Sequence, residues 1–171
     1  MNRNRSYISV LALLVLFALL TVNAYGAEKT SGSQPIHIKS DSMEAVDKDG
    51  TVIFRGNVVA IKGDLTINSD RLDVIYTQKD ATTANGKKKR RVLKKLIASG
   101  HVKIVQGKKV GTCKEAIYDK RAEKLILTGD AQVWEGSNRI RGSKITMYIN
   151  EDRSVVESSQ NQKVEATVYS E

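Results

Sequence analysis

Few residues in this chain have chemistry to offer. The candidates for nucleophilic or acid–base work are the two histidines, His37 and His101, the single cysteine, Cys113, and two Ser-Asp pairs, Ser40-Asp41 and Ser69-Asp70. A serine nucleophile needs a base and an orienting carboxylate converging on it, and no Ser/His/Asp constellation has a recognisable spacing. Paired catalytic carboxylates would flank one site. Asp41 and Asp70 instead each follow a serine in a repeated setting, so they read as hydrogen-bond acceptors at turns or edges. Both histidines are read at alternating strand positions, as surface or groove-rim residues. Cys113 has no partner for a disulfide and no neighbouring ligands for a metal, and reads as a small buried residue. No glycine-rich loop opens a helix to hold a nucleotide phosphate. The residues therefore predict no enzyme, no cofactor and no metal site.

One charged motif remains, the run Lys87-Lys88-Lys89-Arg90-Arg91, followed by Lys94 and Lys95. It fits either a solvated loop or an anionic partner. Nucleic acid is a poor match, because no aromatics are interleaved for base stacking and the chain carries an export signal. Phosphorylated lipid headgroups or an anionic membrane surface suit such a compartment better.

The elements that must carry these residues are strands. From Gly56 to Tyr76, Gly100 to Tyr118 and Gly129 to Tyr148 the chain repeats a unit whose tyrosine lies 20, 18 and 19 positions after its glycine. Each opens on Gly-x-Val or Gly-x-Ala and closes on tyrosine. Near-constant spacing with drifting residues marks a repeated supersecondary unit rather than an active site. Short alternating runs bounded by turn residues predict an all-β architecture. Ile36 and Ile38 share a face; so do Val52 and Phe54; Leu72, Val74 and Tyr76; Val102 and Ile104; Ala116 and Tyr118; Leu125 and Leu127; Ala131 and Val133; Ile145 and Met147. Lys120, in the turn after Tyr118, is read as a surface residue. Gly56-Asn57 is read as a bulge or bend. The polar segment 77–91, with the turn dipeptide Asn85-Gly86, is read as an extended hairpin tip inserted in the repeat, with strand resuming at 92–98. By pattern alone, the apolar face suits a closed sandwich core as well as an open trough.

Residues 1–26 have the form of a cleavable secretory signal: Arg3 and Arg5, an apolar run of 13 residues over 8–20, and small residues Ala24 and Gly26. That run is short of the roughly 20 residues of a spanning helix. Residues 27–33 are expected to be a flexible segment and 34–171 a single domain. The full chain has a formal charge of +9, and removing 1–26 takes away two arginines and no acid.

With these motifs in order, the chain resembles the LptA (OstA) family. Gln34-Pro35-Ile36-His37-Ile38 with Ser40-Asp41 is similar to that family's opening strand. Phe54-Arg55-Gly56-Asn57-Val58, Leu127-Thr128-Gly129-Asp130-Ala131 and Ile140-Arg141-Gly142-Ser143-Lys144-Ile145-Thr146 are similar to its internal motifs. The resemblance implies an all-β, open twisted β-jelly roll of stacked antiparallel strands with essentially no helix after the signal. It implies a periplasmic lipopolysaccharide-binding protein that shelters acyl chains in an apolar groove and joins end to end as a bridge from the inner to the outer membrane. Its expected partners are lipopolysaccharide through its lipid A acyl chains, an inner-membrane LptC-like protein at the N-terminal edge, an outer-membrane LptD-like protein at the C-terminal edge, and further copies of itself. Ile36, Ile38 and Tyr118 match groove positions of the family; parity adds Phe54, Val74, Val102, Ile104 and Met147. The basic segment 77–91 and Asp130, where the family pattern has Asn, are departures. The alternatives are a membrane-anchored LptC-like component of the same pathway and a ligand-free exported β-repeat scaffold.

Overall fold

The Gly-x pairs are where the strands bend, and the fold follows from them. The computed structural model describes residues 35–46, 48–83, 86–151, 153–160 and 163–169, with side chains of 81–88 left aside. The expected export signal over 1–26, segment 27–33 and Asn85 of the expected turn lie outside the described residues. The strands are β1 (His37–Lys39), β2 (Ser42–Val46), β3 (Thr51–Lys62), β4 (Leu65–Thr83), β5 (Gly86–Gln106), β6 (Lys109–Asp119), β7 (Lys124–Glu135), β8 (Asn138–Tyr148), β9 (Arg153–Glu157) and β10 (Glu165–Thr167). All pair antiparallel in one open ten-stranded sheet, β3 through β8 lying side by side in chain order. Among the described residues the only helical element is the 3-10 turn Ile149–Glu151. The expected open all-β roll is the observed one.

Each odd strand from β3 to β7 carries two consecutive left-handed residues: Gly56 (φ 77°) and Asn57 (φ 46°), Gly100 (φ 75°) and His101 (φ 45°), Gly129 (φ 77°) and Asp130 (φ 52°). At each pair the register shifts. In β3–β4, Arg55 pairs with Arg71 but Val58 pairs with Ser69, so Gly56 and Asn57 face Asp70 alone. The same shift recurs between Ser99 and Val102 against β6 and between Thr128 and Ala131 against β8. One extra residue on one strand of a pair is a β-bulge, which bends the strand and sharpens its twist. Three bulges in line crease the whole sheet. The two halves turn their inner faces toward each other and share one core: Val58, Ala60, Val102, Ile104, Ala131 and Val133 on one side, with Leu72, Val74, Ala98, Ala116, Leu127, Ile145 and Met147 on the other. The approach is close enough that a Cβ at Gly111 would lie 3.6 Å from Leu127 Cδ1. His101 is thus a bulge residue and not the alternating strand residue expected from the sequence, because its φ turns its side chain out of the pleat.

The crease is fastened on its outer side. Asn57 Nδ2 donates to Asp41 Oδ2 at 2.9 Å, and the Asp70 carboxylate accepts from His101 Nδ1 at 2.8 Å. At the third bulge the polarity is reversed: Asp130 lies 3.8 Å from Lys114 Nζ and 3.7 Å from Arg141. The expected acceptor role of Asp41 and Asp70 is what these contacts show. Gly56 and Gly100 have no room for a side chain, since a Cβ on either would collide with Asp41 or Asp70, respectively.

Two strands escaped the sequence reading. β2 pairs with Thr51–Arg55 while β1 pairs with Val59–Ile61, so both lie along β3 on either side of its bulge. β9 and β10 divide β8 in the same way. Each edge of the sheet is one broken strand. β2 and β9 are five residues each, and their mixed polar composition hides any alternation. The extended hairpin expected at 77–91 is present as regular ladder, with strand running from Gly86 rather than resuming at 92. β4 and β5 run to 19 and 21 residues, and Tyr76–Thr83 pairs with Gly86–Leu93 after a bulge at Lys94.

Candidate binding groove

The hairpin β4–β5 outgrows its neighbours. β3 stops pairing with β4 at Ile75, and β6 stops pairing with β5 at Lys95. Beyond those points the hairpin pairs only with itself, forming an arm that reaches about 25 Å at roughly 3.3 Å per residue. A two-stranded arm is marginally stable alone; its root is held by Tyr76 N donating to Gly50 O at 2.8 Å and Lys120 N donating to Lys94 O at 3.0 Å.

The creased sheet and this arm enclose a trough of about 1370 Å³ that remains open to solvent. One end is walled by Ile36, just before β1, and Ile38 of β1 with Ala60, Leu65, Ile67 and Ile104. Leu72 and Val74 continue the floor. The other end is walled by Tyr76 and Leu93 of the arm, Leu96, Tyr118, Leu125 and Ile149. Of the positions singled out from the sequence, Ile36, Ile38, Val74, Ile104 and Tyr118 come together here. Val102, 1% exposed, and Met147, 4% exposed, lie on the same inner face but are sealed in the packed core, and Phe54 packs against that core outside the trough walls. Burial raises the Tyr118 phenol above its usual range and Asp119 next to it is lowered, chiefly by the Ala122 amide. Burial also pushes the Cys113 thiol up to about 11, which leaves it a neutral core residue.

Sequence reasoning missed Leu65 and Ile67. Strict alternation along β4 puts Ile67 on the face opposite Leu72, yet both line the trough. The step across Ser69-Asp70 reverses the parity, because the facing strand spends an extra residue there on Gly100-His101. The recurrence of Gly-x opposite Ser-Asp was the available signal. Lys120, read as a surface residue, is exposed but stands on the trough rim.

The comparisons with known proteins bear on this geometry. The family model described as "LptA/(LptD N-terminal domain) LPS transport protein" matches residues 37–153. The chain belongs to that family. Within this LptA/LptD N-terminal family, the lipopolysaccharide export system protein LptA of Escherichia coli (strain K12) is 29% identical over 157 residues, 88% of this chain and 80% of that protein. LptA of Haemophilus influenzae is 28% identical over 141 residues, 82% of this chain and 79% of that protein. Among solved structures, LptH of Pseudomonas aeruginosa, described as the LptA-homologous periplasmic component of the lipopolysaccharide transport device, superposes with a TM-score of 0.63. It covers 80% of this chain and 96% of its own at 17% identity, and shows the shared fold.

Among the described residues no group of three or more His, Cys, Asp or Glu is placed to hold a metal ion. What the trough offers is a long, mostly apolar surface under an open mouth.

Proposed function

We propose that this chain is a periplasmic carrier of lipopolysaccharide, holding acyl chains in the trough while the sugars stay in solvent, and that copies join edge to edge as a bridge between the two membranes. The observation that carries this reading is the apolar trough itself, open along a creased sheet in a member of this family. Burying an acyl chain is worth about 0.8 kcal/mol per methylene, so several buried chains hold a lipid in water with no covalent step. Relatives named as lipopolysaccharide export proteins support the same cargo.

The edges support the assembly. Among the described residues the exposed large hydrophobics are Ile36, Met43 and Ile61 near one edge and Val164, Val168 and Tyr169 near the other. An open edge with apolar side chains is a template for pairing. On this reading the β1–β2 edge meets an inner-membrane LptC-like protein or a preceding copy, and the β9–β10 edge meets a following copy or an outer-membrane LptD-like protein. Export with removal of residues 1–26 separates this carrier from a membrane-anchored LptC-like component, and N-terminal sequencing of the purified protein distinguishes them.

The test is photo-cross-linking in cells. A photoreactive residue at Ile38 or Tyr118 should yield lipopolysaccharide adducts, and one at Lys103, exposed on the outer face, should not. Absence of adducts at both trough positions in folded protein sinks the carrier reading.

A further inference from the structure

The charged residues on the trough are unevenly signed. Lys62, Lys79, Lys94, Lys120 and Arg121 stand on its lining against one carboxylate, Glu123. Four of the five cations gather at one end. Lys79 and Lys94 come from the arm, Lys120 and Arg121 from the turn after β6, and the backbone bond from Lys120 to Lys94 ties the two segments together at 3.0 Å. Glu123 is already engaged, 3.0 Å from Lys120 Nζ, and Asp119 serves Lys95 at 3.7 Å. Among the described residues Lys79, Lys94 and Arg121 are in no ion pair, and all three are exposed. Lys94 stands at the bulge where the arm leaves the sheet. Only the root of the arm, at Tyr76 and Leu93, packs against the main core, yet the arm lifts two cations onto the mouth of an apolar trough.

The geometry points to a phosphate site: these rim cations hold the phosphorylated headgroup of the lipid whose acyl chains lie in the trough, fixing which end of the trough the headgroup occupies. This rests on the carrier function proposed above. Apolar walls below and unpaired cations above match one amphiphile, with chains to bury and a dianion at the head. Free phosphate would find only half of that match. Flexible lysines suit phosphate as point charges, and each basic residue near an anionic lipid contributes about fivefold in affinity.

The experiment is equilibrium binding of lipid A and of the same lipid stripped of its phosphates, to the full secreted chain, at low and at physiological salt. The parent protein should bind lipid A about tenfold or more tighter than the stripped lipid, with the preference shrinking as salt rises. The variant Lys79→Gln/Lys94→Gln/Arg121→Gln should lose that preference and keep its affinity for the stripped lipid. A control with Lys103→Gln/Lys108→Gln/Lys163→Gln, exposed cations off the trough, should keep the preference. Parent protein that binds both lipids equally overturns the phosphate site while leaving the carrier reading intact. Parent protein that binds neither overturns both. Binding to anionic vesicles that is lost in the arm variant, with no discrimination between the two lipids, would mean the cations face a membrane and would equally overturn the inference.

Discussion

Asn57, His101 and Asp130 occupy one structural position with three different side chains. Each follows a glycine and adopts a left-handed φ, and each reaches a polar partner on the neighbouring segment of chain. The backbone geometry is constant, and the chemistry that fastens it is interchangeable. The glycine is the part that cannot change. Gly100→Ala combines an unfavourable φ with a collision against Asp70, and should lower stability in urea by about 2 kcal/mol or more. Gly107→Ala has a similar φ of 57° but nothing within 4 Å, so it should cost only about 1 kcal/mol. Equal losses in the two would show that strain alone, not the crease contact, makes Gly100 necessary. Lys109 poses a different question. It is 4% exposed, its Nζ has no hydrogen-bond partner, and burial lowers its pKa against the opposing pull of Glu135. An unpaired buried ammonium opposes folding, so Lys109→Met should raise stability by about 1 kcal/mol at neutral pH. A lysine whose folded pKa is lowered releases its proton earlier in the fold than in the unfolded chain. The parent protein should therefore gain stability as pH rises toward 10.5, and the gap to the Met variant should narrow. A gap that widens with pH would contradict this account.

At the scale of elements, the bulges decide what a strand's alternation means. Leu72, Val74 and Tyr76 were legible as one face, and the structure keeps them together. Leu65 and Ile67 were not, because the parity of β4 reverses at Ser69 and a sequence read strictly by twos cannot see the reversal. β6 reverses likewise, with Cys113 and Ala116 both buried three residues apart. The odd strands keep their parity: four residues separate Val58 from Phe54 and Val102 from Ala98, and all four lie in or against the core. A photoreactive residue at Ile67 should therefore label lipid and one at Asn68 should not; the reverse pattern would return β4 to simple alternation. The repeat of Gly-x at near-constant spacing was visible early. Its role as a hinge was not, since only pairing shows that two residues face one. The missed strands β2 and β9 are short, sit at edges, and take their regularity from β3 and β8 rather than from any pattern of their own.

Across the whole molecule, the two edges are built alike. Each is a strand interrupted at the crease, and each displays exposed apolar side chains. If these edges pair between copies, removing that surface should dissociate the assembly without unfolding the protomer. Met43→Asp with Val164→Asp, both at exposed positions, should shift concentrated protein from larger species to monomer in light scattering while leaving the urea midpoint nearly unchanged. Assemblies of unaltered size would place the contact elsewhere. The family and the open roll were legible because four motifs fell in order along the chain. The arm was legible as an extended hairpin tip, but not as a regular ladder that outgrows its neighbours, since composition does not show where the flanking strands stop pairing.

The crease also bears on how such a molecule can grow. Each hairpin contributes one glycine step and touches mainly the strands beside it, so stability accrues from neighbour to neighbour as it does along a solenoid. Copying one hairpin, β6 with β7 for instance, would lengthen the trough by about 9.5 Å at some 4.8 Å per strand and leave both ends as they are. Reach could thus be adjusted within a gene by duplication, independently of how many protein copies are recruited.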